Sequence, residues 1–187
     1  AKTVAGEYEG DAEALDYGTA LHLLLQHLPG QVRSRWTMLA GALVPDETLR
    51  VKALQRVVRL LETPDLARVF GPESLAEVPI RGNFGALVMK GTIDRLIPKI
   101  AEVTAVDFKS NRVVPARPAD VPEGILRQMG AYAAMLAKTY PGRAVRVAIL
   151  WTETGQLMEL PDEIVREALQ RSTRDGVLPL DASGVDP

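Results

Sequence analysis

The chain has 187 residues, no cysteine and a formal net charge of −2. That length suits one sizeable domain with its own core, and the missing thiols exclude disulfides, zinc–thiolate sites and cysteine-ligated iron–sulfur clusters. No apolar run reaches the length needed to cross a bilayer, and the small net charge does not by itself mark a nucleic-acid binder. In chain order, residues 1–16 carry Glu7, Glu9, Asp11, Glu13 and Asp16 with little apolar periodicity and read as a flexible lead-in. The start without Met suggests a piece excised from a longer protein. Tyr17 to Leu28 reads as a helix with Leu21, Leu24, Leu25 and Leu28 on one face, closed by Pro29-Gly30. His22 lies off that stripe, one turn after Gly18. It is a candidate ligand or, equally simply, a histidine at the edge of the core. His27 fits a cation at a helix C-terminus.

Further helices are expected over Val32–Leu43, from Pro45-Asp46-Glu47 through Leu61, and over Leu66–Phe70 before Gly71-Pro72. From Ser74 the period changes to that of strands. Leu75 to Ile80 reads as one strand, with Arg81-Gly82-Asn83 as its turn, then Leu87–Ile97 and Ile100–Lys109, joined at Pro98-Lys99, as a meander. The proline-rich stretch Asn111–Pro122 reads as a loop, Gly124–Tyr140 as a long helix, and Val145–Trp151 and Gln156–Leu160 as a hairpin turning at Thr154-Gly155. Pro161-Asp162-Glu163 opens a last helix, Ile164–Ser172, and 175–187 reads as a frayed tail. The expected fold is α/β (α+β), a mixed sheet flanked by helices behind an N-terminal helical preface. The domain proper is expected to run as one unit over 17–174.

The chemistry concentrates in the second and third strands. Asp107 and Lys109 are two apart, so in a strand they share a face. If the strands pair as a hairpin, Asp94 comes to lie beside Asp107. Two carboxylates and a lysine on an apolar sheet are costly unless a divalent cation or a reaction uses them. Hard oxygen donors favour Mg²⁺ or Mn²⁺, and such a site can activate water against a phosphoryl centre. From Lys90 to Arg146 there are ten Lys/Arg against five Asp/Glu, a balance that suits a polyanion or a plain solvated surface. A glycine-rich phosphate loop, a nucleophile elbow and a three-histidine zinc set are all missing. The residues alone therefore reach a metal-assisted phosphodiesterase. An unrelated scaffold in which Asp94, Asp107 and Lys109 merely pair on a surface stays open.

Four segments in order carry more. Gly18-Thr19-Ala20-Leu21-His22, Gly91-Thr92-Ile93-Asp94, Val106-Asp107-Phe108-Lys109 and Gln128-Met129-Gly130-Ala131-Tyr132 together resemble the RecB-type nuclease domain of the PD-(D/E)XK superfamily. Within it they are most similar to the C-terminal nuclease domain of the A subunit of AddAB-type helicase–nucleases. The resemblance implies a restriction-endonuclease-like fold and a Mg²⁺-dependent deoxyribonuclease that tolerates Mn²⁺ and carries no iron–sulfur cluster. It implies His22, Asp94, Asp107 and the backbone carbonyl of Phe108 as metal ligands, and Asp94, Asp107 and Lys109 as the catalytic set, with Lys109 assisting the attacking water. Gln128, Tyr132, Arg127 and Arg112 would bind DNA or brace the site, and Glu77 would be an accessory acid. It further implies exonuclease action on single strands (the strand ending 3′ at the break) emerging from a duplex end in double-strand break repair and recombination. The implied partners are a helicase portion of the same polypeptide and an AddB-type subunit, in the bacterial cytoplasm at the nucleoid and away from membranes. A catalytically silent nuclease-like module that binds DNA or a partner subunit is the other reading.

Overall fold

The computed structural model describes residues 3–84 and 87–176, with backbone only for residues 3–11, 84 and 87. The backbone divides into two compact units, Ala1–Pro72 and Glu73–Pro187.

The first unit is helical. Helix α1 covers Thr3–His27, so it begins well before the expected Tyr17. The acidic lead-in lacks an apolar stripe, but Ala12, Glu13, Ala14 and Leu15 are good helix formers that continue the turn backwards from the leucine face. Leu21, Leu24, Leu25 and Leu28 are all fully buried. After a short 3₁₀ turn come α2 (Trp36–Leu43) and α3 (Glu47–Leu61). Asp46 caps α3 by accepting a 2.7 Å hydrogen bond from the Leu49 amide, an interaction that contributes about 1 kcal/mol. Helix α3 packs on α1 through Ala53, Val57 and Leu60. Arg50 donates to the carbonyls of Val44 (2.9 Å) and Pro45 (3.1 Å) and so ties the α2–α3 connection. A further 3₁₀ turn at Pro64–Leu66 leads into α4 (Ala67–Phe70).

The second unit is a five-stranded mixed sheet in the order β1-β2-β3-β4-β5. Strands β1 (Leu75–Phe84), β2 (Leu87–Pro98) and β3 (Glu102–Lys109) form the expected antiparallel meander. The stretch Arg81-Gly82-Asn83 is strand, not turn. Its turn-forming composition is overruled because Val78, Ile80 and Gly82 continue an alternation that pairs with Met89 and Ile93. Residues 85–86, between the two strands, lie outside the described residues.

Helix α5 (Glu123–Thr139) then crosses over to β4 (Ala144–Trp151), which lies parallel to β3. A parallel neighbour requires such a crossover. Strand β5 (Gln156–Leu160) returns antiparallel, with Gly155 at φ 73° in the turn, and α6 (Asp162–Asp175) closes the unit.

The core lies between one sheet face and α5 with α6. Met129, Tyr132 and Leu136 of α5 and Val165 and Ala168 of α6 pack with Ile93, Leu96, Ala105, Val147, Ile149 and Trp151. Each fully buried Leu, Ile or Met side chain here is worth about 1.5–3 kcal/mol. Gly130 sets the approach of the two helices, because a Cβ at that position would stand 2.3 Å from the Val165 carbonyl oxygen.

Candidate active site

The site is built where the sheet forks. Strand β2 pairs with β3 only from Arg95↔Val106 to Pro98↔Val103. Beyond that, β2 stays with β1 as far as Leu87↔Phe84, while β3 stays with β4 as far as Lys109↔Trp151. One further step of the β2–β3 register sets Asp94 opposite Asp107, at the first position where the ladder has opened. The β1–β2 register, read through the gap between Ala76↔Arg95 and Val78↔Ile93, sets Glu77 opposite Asp94. Three carboxylates thus stand on adjacent strands at the mouth of the fork.

Local geometry fixes them. The Phe108 amide donates to Asp94 Oδ2 at 2.6 Å across the opening. This hydrogen bond from a backbone amide to a carboxyl oxygen is short. Glu77 is the one non-glycine among the described residues with positive φ, at 51°. A glutamate in the left-handed region is uncommon and costs of order 1–3 kcal/mol, and such outliers cluster at functional sites. Carboxylate oxygens of Glu77 and Asp94 lie within 4.8 Å of each other. Asp94 and Asp107 are only 7% and 4% exposed.

Lys109 is held from two sides. Its Nζ lies 2.6 Å from Asp107 Oδ2, as an ion pair rather than an aligned hydrogen bond, and donates to Gln128 Oε1 at 3.0 Å. Lysine is a donor only, so Gln128 must present its oxygen here and its NH₂ to the other side. That NH₂ donates to the Tyr132 hydroxyl at 3.3 Å, and the hydroxyl donates to the Thr92 carbonyl at 2.9 Å. Gln128 and Tyr132 are one helical turn apart, so both reach the fork from one side of α5. The result is an unbroken chain of hydrogen bonds from β2 through α5 to the lysine on β3.

Arg95 was not singled out by the sequence reading. It is buried beside the carboxylates. Burial lowers its guanidinium pKa from the ordinary value, and the charges of Glu77 and Asp94 act in the opposite direction. The signal was present in the sequence as a charged residue in the middle of an otherwise apolar strand next to Asp94. The core-facing positions of β2 change parity at this point, from Met89 and Ile93 to Leu96, which is how two consecutive charged residues both come to be buried.

Two of the predicted arginines fall elsewhere. Arg127 pairs with Glu123 at 3.3 Å and Asp175 at 3.7 Å, linking α5 to the end of α6. Arg112 is exposed in the loop after β3. His22 is half-buried on α1, in the first unit.

The donor set at the fork fits a hard divalent cation. It offers carboxylate oxygens from three strands, two of them deeply buried, and oxygen donors of that kind suit Mg²⁺ or Mn²⁺. What the arrangement offers chemically is an anionic pocket with one positioned ammonium at its rim.

Comparison with known proteins shows the family. The family model of the PD-(D/E)XK nuclease superfamily matches residues 3–178, and the chain belongs to that superfamily. The five-stranded mixed sheet flanked by helices is its restriction-endonuclease-like fold. No curated protein matches the sequence. Among solved structures the chain is similar to one titled "Crystal structure of SSO0001", at 17% identity over 83% of this chain and 74% of that one, with a TM-score of 0.35. Among the described residues no helix is long and apolar enough to cross a membrane.

Proposed function

We propose that the chain is a divalent-metal-dependent deoxyribonuclease domain that hydrolyses phosphodiester bonds of single-stranded DNA. The observation that carries this is the convergence of Asp94, Asp107 and Lys109 at the fork, with Lys109 fixed by Gln128. A structural sheet has no use for two nearly buried aspartates and a tethered lysine at its opening. Glu77, Asp94 and Asp107 are the proposed holders of Mg²⁺, which Mn²⁺ can replace. His22 and the Phe108 carbonyl join them on the strength of the sequence motifs. The cation would supply Lewis-acid stabilisation of charge on the phosphoryl oxygens.

The chain's own residues do the rest. An ammonium has three donors, of which Gln128 engages one while Asp107 holds the charge in place. A remaining donor can orient the water that attacks phosphorus. One P–O bond forms to that water, which gives up a proton to solvent, and one breaks to the leaving deoxyribose oxygen, which takes up a proton from solvent. Tyr132 and Thr92 keep Gln128 in place, so the lysine needs little reorganisation as charge develops. The wider setting follows the sequence resemblance. It is an exonuclease in an AddA-type helicase–nuclease, with a motor in the same polypeptide and an AddB-type subunit, acting on strands emerging from a double-strand end.

Mn²⁺ titration followed by electron paramagnetic resonance tests the site. Saturable binding that disappears in Asp107→Ala is the expected outcome. Binding that survives the substitution unchanged would remove Asp107 from the ligand set and with it this reading.

A further inference from the structure

The β1–β2 hairpin has a second face that the site does not use. One face of the hairpin is apolar and packed, with Val78, Ile80, Met89 and Ile93 in the core. The other carries Pro79, Arg81 and Asn83 from β1 and Val88, Lys90 and Thr92 from β2. Pro79, Arg81, Asn83 and Thr92 are exposed. Arg81 and Lys90 are direct partners in the register. Like charges placed opposite each other on an antiparallel pair destabilise it. Between Val78 and Ile93 the chain has these two cations and no acidic residue. Lys138 of α5 brings a third cation to the same end, its ammonium 3.4 Å from the Asn83 carbonyl.

Five arginines of this unit, Arg117, Arg127, Arg146, Arg166 and Arg171, pair with carboxylates. Among the described residues Arg81 has no carboxylate partner, and it shares this with Arg112 and Arg143.

We infer that this face of the hairpin is a track for the backbone of a DNA strand, with Arg81 and Lys90 contacting its phosphates. Arg81 and Lys90 lie four residues along β1 and β2 from Glu77 and Asp94, so the cations sit on the same two strands that carry those carboxylates. At the rise of a strand, four residues place them about 13 Å from the fork. A single strand with one phosphate at the fork would then lay the following phosphates over the pair. A positively charged strip of this kind binds by charge, without reading sequence. The inference deepens the nuclease reading and rests on it for the direction of the strand.

Fluorescence anisotropy of a labelled oligo(dT) in chelator separates the two ideas, because binding is read without cleavage. The whole chain is compared with the double substitution Arg81→Gln and Lys90→Gln, and with Arg166→Gln, which removes an exposed cation from α6. The hairpin substitution is expected to weaken binding at least tenfold and to flatten the log–log salt slope by about 0.7 for each lost phosphate contact. The Arg166 variant is expected to match the parent. In cleavage assays the double variant should raise KM and leave kcat near the parent value.

Unchanged affinity and salt slope in the double variant, with thermal unfolding like the parent's, would overturn the hairpin track even if cleavage persists. Weakened binding in a chain that cuts nothing with any metal would keep the track and remove the nuclease. An equal loss from Arg166→Gln would show charge without place and overturn the track, as would a parent chain that does not bind oligo(dT) at all.

Discussion

Helix α5 braces two charged clusters, and they differ in kind. Near its start, Glu123 accepts from Arg171 at 2.9 Å and from Arg127 at 3.3 Å, joining α5 to α6. One turn further on, Gln128 and Tyr132 reach across to Lys109, Asp107 and the Thr92 carbonyl. The first cluster is open to solvent, with the Glu123 side chain 40% exposed, and its charges match in pairs. The second gathers carboxylates from three strands in a nearly buried fork and reaches its lysine through a neutral amide. A solvated ion pair is cheap to make and worth little, whereas buried charge held in a fixed arrangement is costly and persists where something uses it. The same helix thus serves stability at one end and, in the function proposed here, chemistry in its middle.

The sharpest way to break that contrast is Asp107→Asn. It should reduce metal-dependent cleavage by at least 100-fold, a loss of the size seen when one group stabilising transition-state charge is removed. The unfolding free energy should stay within about 1 kcal/mol of the parent. A large loss of stability in denaturant titration would place Asp107 with the structural cluster instead.

Gly130→Ala should do the reverse. The added methyl has no room beside the Val165 carbonyl. Overpacking of this sort costs about 1–3 kcal/mol, visible as a lowered denaturation midpoint. Cleavage by the folded fraction should change little.

Tyr132→Phe removes the hydroxyl that bonds the Thr92 carbonyl and Gln128. A loss of about 0.5–1.5 kcal/mol is expected, the worth of one such hydrogen bond. Because the lysine's brace is loosened, kcat should fall severalfold while Mn²⁺ affinity holds.

The smallest effect belongs to Glu123→Gln. The hydrogen bond from Arg171, helped by the charge of Arg127, holds the Glu123 carboxyl below its usual range. A carboxyl with a depressed folded pKa adds stability above its unfolded pKa, near the ordinary value of about 4.3. That stability disappears as pH falls through the folded pKa. The substitution should therefore lower stability by no more than about 1 kcal/mol at pH 7. The parent and variant should converge when melting is followed down through the acid range.

Much of this was readable from short-range periodicity. Asp107 and Lys109 share a face because strand alternation requires it, and Gln128 and Tyr132 share one because helical spacing does. The leucine face of α1 and the meander of β1, β2 and β3 followed from the same two periods. What escaped depended on context. Arg81-Gly82-Asn83 has turn composition, and only pairing with Gly82↔Met89 and its neighbours holds it in the sheet. The left-handed backbone of Glu77 has no local signature, since glutamate is not a residue that favours it. The burial of Arg95 depends on the change of parity in β2, which arises at the fork and not from any run of residues. The start of α1 at Thr3 was hidden because charge without an apolar stripe looks like a lead-in.

In the proposed function the fork is a metal-dependent nuclease site in which Lys109 assists attack on DNA. The direct test is cleavage of end-labelled single-stranded DNA in Mg²⁺, in Mn²⁺ and in chelator, comparing the parent chain with Lys109→Ala. Cutting that requires either metal and falls by at least 100-fold in the variant is the predicted result. Cutting that continues in chelator, or that proceeds equally well without the lysine, would contradict it.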